Sequence, residues 1–435
     1  MSANETAQQR LRQHAKEFFL KGISEVDPRS CAFKSMEQCP LPAPPGRLFL
    51  ISIGKAACTM MQGAQEYLQQ NGHAAHHCLL VTDHSNFKQM DGCECFGAGH
   101  PIPDSDGLRA AKRLIEVLKT AQKDDIVIAF ISGGGSAILP CPPDGISLED
   151  EIELNHLLLA SGIDIEGVNL VRQQFSLLKG GGFARFAAPA KVEANLLSDV
   201  ISNDIRAVAG GLTAAPLGSV AEATTLLKER GLWNSLPTSM RESLQARQME
   251  QPYPAPDNAN SVPIASNLTL TLAISEGVGK SYQLRQEEED FVIGDVGDMA
   301  QRLVEQASEL LPCDKPVGLV CGGETTVRLG NATGRGGRNQ ELALRFALNV
   351  EERGGFHMPW VFLSGGSDGR DGPTDAAGGL VDGGSINRML SAGLSPKDLL
   401  ANHDSYHALE ASGDLLLTGA TGTNVADAQI FLAVP

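Results

Sequence analysis

Glycine-rich stretches that carry a cation recur along this sequence and could bind phosphate groups. Lys55 directly follows Gly54 after an apolar run, and Arg335 and Arg338 lie in the stretch TGRGGRNQE. Glycine allows backbone N–H groups to approach phosphate oxygens, while lysine and arginine offset the phosphate charge. Phosphoryl transfer needs such cations, together with a group that handles the proton of the acceptor hydroxyl. We therefore interpret these three cations as candidates for a phosphate site.

Five predicted strands run into glycine-containing loops. The loops are ISIGKAA (51–57), FISGGGSA (130–137), LVCGGETTV (319–327), FLSGGSDGRDGPTD (362–375) and LLTGATGTN (416–424). Open α/β sheets bind ligands beyond the carboxyl ends of their strands, where such loops lie. Tight βα turns alone also favour glycine, so one loop would be a weak indication, but five favour a phosphate or nucleotide site.

Acidic residues near these loops could hold Mg²⁺ or accept a proton. Asp368 and Asp371 lie in the loop at 362–375, and Glu324 follows two glycines. Aspartates in glycine-rich loops are also common turn formers, so both interpretations stay open. Asp199 and Asp204 follow another predicted strand and could ligate Mg²⁺ or cap the next helix.

Other motifs support or exclude particular chemistries. Lys179 precedes three glycines and is a further candidate for anion binding, whereas His100 opens HPIPD and is interpreted as a turn histidine. GVGKS at 277–281 lacks the first glycine of a phosphate-binding P-loop and ends a predicted helix. The glycine loops contain no G-x-G-x-x-G, which disfavours a dinucleotide dehydrogenase, and GGGSAI at 133–138 lacks the final glycine of a G-x-S-x-G elbow, which disfavours a serine hydrolase site at that loop.

The composition favours a small-molecule ligand. The chain has 435 residues and a net charge of −17, which disfavours nucleic acid because phosphate backbones are bound by clustered lysine and arginine. Its nine cysteines are scattered without CxxC pairs, as is typical of a reducing compartment. No signal peptide is predicted, and no apolar stretch reaches the roughly 18 residues that span a bilayer. We therefore predict a cytoplasmic protein without membrane or nucleic-acid partners, for which a homo-oligomer is one assembly that the sequence allows.

Short apolar runs alternate with amphipathic ones, as is typical of βα units around a mostly parallel sheet. The predicted strands are 47–53, 78–82, 126–131, 192–198, a short strand from 264, 317–321, 360–363 and 415–417, and the predicted helices are 5–26, 56–70, 106–121, 267–278 and 297–311. Four prolines in 251–263 indicate a domain boundary. We predict two α/β domains, 1–250 and 251–435, because 435 residues exceed the usual size of one core.

At these residues the sequence resembles the glycerate 2-kinase family, whose C-terminal half is called the MOFRL domain. The matching segments of the first half are IGKAA (53–57), GHPIPDSDG (99–107), SGGGSA (132–137), VRQQFSLLKGG (171–181), SDV (198–200) and ND (203–204). Those of the second half are CGGETTV (321–327), GRGGRNQELAL (334–344), SDGRDGPTDAAG (367–378) and TGATGTNVAD (418–427). The resemblance extends from about residue 45 to the C-terminus, with the motifs in the family's order.

The resemblance implies a Rossmann-like N-terminal domain with a parallel sheet, a smaller C-terminal MOFRL α/β domain and an active site in the cleft between them. It implies ATP, Mg²⁺ and D-glycerate as ligands, with phosphorylation at the 2-hydroxyl. We predict Lys55, Arg335 and Asp368 as catalytic residues and Asp199 and Asp204 as metal ligands. The predicted substrate- or ATP-binding residues are Gly54, Ser132, Gly133, Gly134, Gly135, Ser136, Lys179, Gly322, Gly323, Glu324, Arg338, Asn339, Asp371 and Thr374.

Two other functions stay open at this point. A hydroxypyruvate reductase using NAD(P)H would act in the same pathway, but the missing G-x-G-x-x-G disfavours it. A non-catalytic nucleotide-binding regulator accounts for the glycine loops, but it gives no reason for the charged residues beside them. The identity of a general base is also left open.

Overall fold

The computed structural model describes residues 3–201, 204–285 and 291–435 and divides into two compact units. Residues 28–264 form one unit, termed the parallel-sheet unit. Residues 1–27 join residues 265–435 in the other, termed the mixed-sheet unit. Within the described ranges, none of the helices combines the length and the apolar character that crossing a membrane requires.

The chain begins with helix α1 (Ala3–Glu25), which belongs to the mixed-sheet unit, and then enters the parallel-sheet unit. The helices of the parallel-sheet unit are α2 (Pro28–Met36), α3 (Ala57–Gln70), α4 (Ser105–Leu118), α5 (Gly135–Ile138), α6 (Leu148–Ala160), α7 (Ile165–Gln173), α8 (Gly182–Ala187), α9 (Val220–Glu229) and α10 (Thr238–Ala246). Its strands are β1 (Leu48–Ile53), β2 (His77–Asp83), β3 (Glu94–Ala98), β4 (Ile126–Ile131), β5 (Lys191–Leu197) and β6 (Ala259–Ala265).

The sheet of the parallel-sheet unit has the strand order β3-β2-β1-β4-β5-β6. β1 pairs in parallel with β2 and with β4, and the pairs β2–β3 and β4–β5 are parallel as well. This is the order of the Rossmann fold, in which the sequence of strands reverses beside β1 and ligands bind beyond the carboxyl ends. The prediction of a Rossmann-like parallel sheet is confirmed, and the loops after β1 and β4 lie at the reversal.

β1 and β4 occupy the centre of this sheet because β4 is an unbroken apolar run and β1 has one polar residue, Ser52. Their sequences are LFLISI and IVIAFI, and every residue in them is buried. Strands covered on both faces by helices have such runs, whereas half-exposed strands alternate apolar and polar residues. The core around them includes Leu114 of α4 and Phe183 of α8. The predicted strands 47–53 and 126–131 therefore agree with the structure to within one residue.

A second hydrophobic cluster lies among α6, α7, α9 and α10, in a region where no element was predicted. Its members include Leu154, Leu158, Val168, Val171, Phe175, Val220, Ala223, Leu227, Met240 and Leu244. Ser147 and Ser219 begin α6 and α9 with capping boxes, in which Asp150 and Glu222 complete the reciprocal hydrogen bonds. The serine-to-acid spacing of these boxes is a helix-start signal that could have identified both helices.

The mixed-sheet unit continues after β6. Its further helices are α11 (Asn267–Gly279), α12 (Val296–Glu309), α13 (Arg338–Glu352), α14 (Ser385–Ser391), α15 (Pro396–Ala401) and α16 (Ser405–Ser412). Its strands are β7 (Gln283–Arg285), β8 (Phe291–Asp295), β9 (Val317–Thr326), β10 (Trp360–Gly366), β11 (Gly378–Asp382), β12 (Leu415–Leu416) and β13 (Asp427–Ala433). Phe346 of α13 stacks on Phe362 of β10 in the core, with ring centroids 4.0 Å apart.

The sheet of this unit has the order β12-β11-β10-β13-β9-β7, with β8 also paired to β9. β10 is antiparallel to β11 and to β13, and β13 is antiparallel to β9, while β7 and β8 join β9 in parallel. The expectation of a mostly parallel sheet is therefore wrong for this unit. An apolar run has the same pattern in either direction, so its pairing depends on distant parts of the chain.

The predicted glycine loop at 319–327 is also corrected, because β9 continues to Thr326 instead of ending at Cys321. Gly322 and Gly323 lie inside the strand and pair with β13 and β8. A Cβ on Gly322 would overlap the Oδ1 of Asn267, and Gly323 has a φ of +150° against the backbone of Val292. These glycines permit close approach within the sheet, so they are not loop residues at a strand end.

Helix α1 packs on the mixed-sheet unit, so the predicted division at residues 250 and 251 differs from the observed units at both ends. Leu11, Ala15 and Phe19 are buried along one face of the helix, as its helical spacing predicts. Arg12 forms ion pairs with Asp382 at 2.6 Å and with Asp414 at 2.8 Å, and both carboxylates are buried.

Replacing Arg12 by methionine is expected to lower the free energy of unfolding by about 3 kcal/mol, because one of the cations facing two buried carboxylates is lost. Arg10 lies exposed on the same helix, and Arg10→Met is expected to change stability by no more than about 0.5 kcal/mol. Urea unfolding of both variants measures the difference. Equal midpoints for Arg12→Met and wild type would contradict the expectation.

Candidate active site

The loops after β1 and β4 are joined to each other by hydrogen bonds. The backbone N–H of Lys55 donates to the carbonyl of Gly133 at 3.0 Å, and the N–H of Ala56 donates to the Oγ of Ser132 at 3.1 Å. The Oγ of Ser132 donates in turn to the carbonyl of Ile53 at 3.3 Å. Ser132 was predicted to bind a ligand, but its hydroxyl joins the two loops instead.

Gly54 is required at this junction. It has a φ of +113°, and a Cβ there would overlap the Oγ of Ser132. Gly54→Ala is expected to lower the free energy of unfolding by about 3 kcal/mol, because the loops must separate and alanine is strained at this φ. Gly72→Ala is the control, since Gly72 has a φ of +69° with nothing within 4 Å of its Cβ. It is expected to cost about 1 kcal/mol; equal losses in urea unfolding would contradict the crowding argument.

Lys55 and His100 flank the glycine loop after β4. A Cβ on Gly134 would lie 3.1 Å from the Cγ of Lys55 and 3.2 Å from the Cδ2 of His100. Lys55 is exposed, and within the described ranges its ammonium group forms no ion pair. It is therefore available to a bound anion, and the missing Cβ of Gly134 lets Lys55 and His100 lie close to the backbone of the loop.

Asp199, which follows β5, lies against the glycine loop that follows β4. A Cβ on Gly133 would overlap its Oδ2 atom, so the carboxylate lies directly against the glycine backbone. Burial raises the pKa of Asp199, and the nearby charge of Lys55 partly opposes the rise. The site thus combines a cation and a carboxylate around Gly133 and Gly134.

The other end of the loop forms helix α5. Gly135 begins the helix and packs against Ala209, whose Cβ would lie 2.7 Å from a Cβ on Gly135. The Oγ of Ser136 is buried without a hydrogen-bond partner among the described residues. A buried hydroxyl without a partner costs free energy unless a ligand or water satisfies it, so Ser136 is a candidate ligand contact, as predicted.

Two predicted residues of this unit have partners inside the protein. Lys179 is buried, and its Nζ lies 3.5 Å from the Oε1 of Glu151. Burial lowers the pKa of Lys179 and raises that of Glu151. Asp204 forms a bidentate ion pair with Arg206. Asn203 of the same motif lies outside the described residues. Lys179 and Asp204 therefore use their charges within the fold.

Another group with the geometry of a metal site occurs near the start of α4. His84, Asp104 and Asp106 present ligand atoms within 4.8 Å of one another. However, Asp104 already caps α4 through the N–H of Gly107 and bonds the Nε2 of His84 at 2.7 Å. Exposed acidic groups of this kind are common without a metal, so Asp199 is the better candidate for an ion.

The mixed-sheet unit contains a second group of predicted residues, centred on Arg338. Its guanidinium donates to both carboxylate oxygens of Asp427, at 2.6 and 2.9 Å, and to the Oε1 of Glu324 at 2.6 Å. Asp427 is only 1% exposed, and its burial raises its pKa although Arg338 opposes the rise. Arg338 and Glu324 were predicted as ligand contacts, but this pairing gives Arg338 a structural role.

Asp371 lies at the N-terminus of α13 and fixes it. Its carboxylate accepts the N–H of Asn339 at 3.1 Å and the N–H of Gln340 at 2.8 Å. The side chain of Gln340 bonds Thr374, and that of Asn339 accepts a hydrogen bond from Ser364. Asn339, Asp371 and Thr374 are all buried, so the predicted contacts form an internal network that positions the loop before α13.

Arg335 and Asp368 are the more accessible predicted residues of this unit. The Arg335 guanidinium stacks 4.1 Å above the ring of Tyr406 and lies 4.0 Å from Asp375. Its side chain is 45% exposed, so several of its donors face solvent. Asp368 is half-buried, and its Oδ1 accepts the N–H of Arg370. Arg335, predicted as catalytic, therefore keeps an accessible guanidinium, whereas Arg338, predicted as a ligand contact, is paired with Asp427 and Glu324.

Two residues of the two groups described above, His100 and Asp427, were not predicted as site residues from the sequence. His100 was assigned to a turn because HPIPD is rich in proline, but its place in the motif GHPIPDSDG could have identified it. Asp427 was counted only as the end of a motif, and its part in holding Arg338 has no local signal. A buried charge pair between residues 89 apart becomes visible only in the fold.

The Rossmann strand order, with a glycine loop, an exposed lysine and a carboxylate at the strand reversal, is typical of α/β proteins that bind phosphate groups. Comparisons with known proteins narrow this class. A family described as a domain of unknown function (DUF4147) matches residues 14–245, and the MOFRL family matches residues 317–427.

Full-length relatives agree with these matches. A D-glycerate 2-kinase of Thermotoga maritima is 34% identical over 430 residues, which cover 98% of this chain and 99% of the relative. A glycerate 2-kinase of Pyrococcus horikoshii is 35% identical over 87% of this chain and 86% of its own. The crystal structure of a glycerate kinase from Thermotoga maritima superposes with a TM-score of 0.88 at 33% identity, covering 98% of this chain and 100% of the other. The chain belongs to the glycerate 2-kinase family.

Proposed function

We propose that the protein transfers the γ-phosphoryl group of ATP to the 2-hydroxyl of D-glycerate, forming 2-phosphoglycerate and ADP. The observation that carries this proposal is the convergence of Lys55, His100 and Asp199 on the glycine loop at the strand reversal. Phosphoryl transfer relies on positioning and on charge stabilisation more than on covalent chemistry, and this group of residues provides both. Family membership supports glycerate as the acceptor.

In this proposal Lys55 binds the transferring phosphoryl group. Its ammonium has no ion pair among the described residues, so it need not leave a protein partner to stabilise the charge that develops. Gly134 has no Cβ, so Lys55 and His100 lie close to the loop backbone, and we propose that phosphate oxygens bind at this loop. The hydroxyl of Ser136, which lacks a partner, completes the phosphate contacts.

Asp199 fits Mg²⁺ better than Asp204 does. Mg²⁺ prefers carboxylate oxygens together with phosphate oxygens, and Asp199 lies against the loop proposed to hold the phosphates. Asp204 already neutralises Arg206. We propose Asp199 as the ligand from this chain; a bound Mg²⁺ would offset the negative charge on the phosphate oxygens. This assignment replaces the two-aspartate set predicted from the sequence.

Arg335 is kept as a proposed catalytic residue. The planar guanidinium of Arg335 can donate two parallel hydrogen bonds to a carboxylate or a phosphate. The group lies over the ring of Tyr406, which helps to hold its orientation. Asp368 remains a candidate for a proton-handling or Mg²⁺-binding role in the proposal. The net charge of −17 also favours a small-molecule substrate over nucleic acid.

A coupled assay tests the reaction and its regiochemistry. The purified protein is incubated with Mg²⁺, ATP and D-glycerate, and enolase is added without phosphoglycerate mutase. Phosphoenolpyruvate is expected, because enolase acts on 2-phosphoglycerate. ADP without phosphoenolpyruvate would contradict attack at the 2-hydroxyl, and a lack of glycerate-dependent ADP would contradict the kinase itself.

The same preparation tests the reductase alternative. A relative from Agrobacterium vitis, 33% identical over 434 residues, carries the provisional name hydroxypyruvate reductase. The loop at the strand reversal in this chain is SGGGSA and has no G-x-G-x-x-G. We therefore expect no oxidation of NADH or NADPH in the presence of hydroxypyruvate; turnover there would revive the alternative.

A further inference from the structure

His100 presents an imidazole without a protein partner beside the proposed phosphate site. The residue is half-buried, and within the described ranges neither ring nitrogen forms a hydrogen bond. Its Cδ2 and the Cγ of Lys55 lie 3.2 and 3.1 Å from the position that a Cβ on Gly134 would take. An imidazole without a protein partner beside this loop is available to bond a ligand, and the interpretation as a turn histidine gives no role to that ring.

We propose that His100 accepts the proton that the acceptor hydroxyl loses during phosphoryl transfer, which makes it a catalytic residue. This inference rests on the proposed function. An oxygen lone pair of the glycerate 2-hydroxyl forms the new bond to the γ-phosphorus, while the bond from that phosphorus to the β,γ-bridging oxygen breaks. The electron pair of the broken bond leaves with ADP, and the hydroxyl proton moves to a ring nitrogen of His100.

The charges around His100 keep the imidazole in the form that can accept a proton. Burial lowers the pKa of His100, the ammonium of Lys55 lowers it further, and the carboxylate of Asp83 raises it. The net effect is a pKa below the usual 6.5. The ring is therefore neutral near pH 7, and protonation removes its accepting lone pair only under more acidic conditions.

The nearby carboxylates are less suited to this step. The oxygens of Asp83 already accept hydrogen bonds from the N–H groups of Ser85 and Asn86 and from their side chains. Asp199 lies against Gly133 and is proposed to face the metal ion. Among these groups, His100 is therefore the proton acceptor that is used neither in a hydrogen bond of the fold, within the described ranges, nor in a proposed contact with phosphate or metal.

His100→Asn tests the proposal, since asparagine keeps a polar group of similar size but cannot act as a base at neutral pH. We expect kcat to fall at least about a hundredfold, as for the loss of a general base, while the KM for ATP and the melting temperature stay close to wild type. The kcat of wild type should fall as pH decreases through the lowered pKa of His100, because the imidazolium cannot accept a proton. This acid limb should be missing from His100→Asn.

The control is His84→Asn, which makes the same change in a histidine that pairs with Asp104; its kcat and pH profile should match wild type. His100→Gln is measured as well, in case asparagine disturbs the fold. Undiminished kcat in folded His100 variants, or a reduced kcat with the acid limb retained, would overturn the inference. Wild-type protein is assayed first: if it forms no glycerate-dependent ADP, the proposed function fails and this inference with it, whereas an active wild type with active His100 variants refutes the inference alone.

Discussion

Lys55→Met is expected to lower the kcat of glycerate phosphorylation about a thousandfold, because a pre-positioned charge that stabilises the transition state is removed. Methionine keeps the length of the side chain but carries no charge. The stability of the variant should match that of wild type, since the Lys55 side chain is exposed and forms no ion pair among the described residues. The measurement is single-turnover ADP formation together with thermal unfolding.

Lys112→Met is the matched control, because Lys112 lies exposed on α4 in the same unit and away from the glycine loop. It should retain wild-type turnover. Near-normal turnover in Lys55→Met would refute the assignment of Lys55. A comparable loss in both variants would instead point to a general effect of lysine removal on this acidic chain.

Arg338→Met is expected to lower the free energy of unfolding by about 3–5 kcal/mol, because it leaves the buried carboxylate of Asp427 without its partner. Asp427 is 1% exposed and receives two hydrogen bonds from Arg338. Urea unfolding measures the loss. The double variant Arg338→Met/Asp427→Asn should recover part of it, because the uncompensated buried charge is removed as well.

Arg335→Met provides the contrast within the same motif. Its loss removes a stacking contact on Tyr406 and a loose pair with Asp375, which is expected to cost no more than about 1 kcal/mol of stability. Its kcat/KM for glycerate should fall about a hundredfold if its donors bind the substrate. Equal stability of the two arginine variants would contradict the separation of their roles.

Local sequence patterns predicted the ends of the two central strands beside the candidate site. β1 has one polar residue, Ser52, and β4 is an unbroken apolar run, and their ends at Ile53 and Ile131 were predicted to the residue. In a parallel sheet, the loops that follow neighbouring strands must lie at the same edge. The structure pairs β1 with β4, and this pairing brings Lys55 beside the loop that contains Gly134.

The features of the fold and of the candidate site that were not predicted depend on contacts between residues far apart in the sequence. Gly322 and Gly323 have the sequence pattern of a loop, and only the approach of Asn267 explains why glycine stands inside β9. The antiparallel pairing of β13 with β9 joins residues about a hundred positions apart, and an apolar run does not specify its partner. His100 was missed for the same reason, because its neighbours Lys55 and Gly134 come from other loops.

The position of α1 in the mixed-sheet unit has a consequence for synthesis on the ribosome. The helix is synthesised before the strands that bury its apolar face, β10 and β13, which lie beyond residue 359. At about 5–20 residues per second, translation leaves Leu11 and Phe19 without their final contacts for tens of seconds. The parallel-sheet unit, residues 28–264, can complete its core during that interval. A shortened gene that starts at residue 251 would lack α1 and would expose the surface that this helix covers.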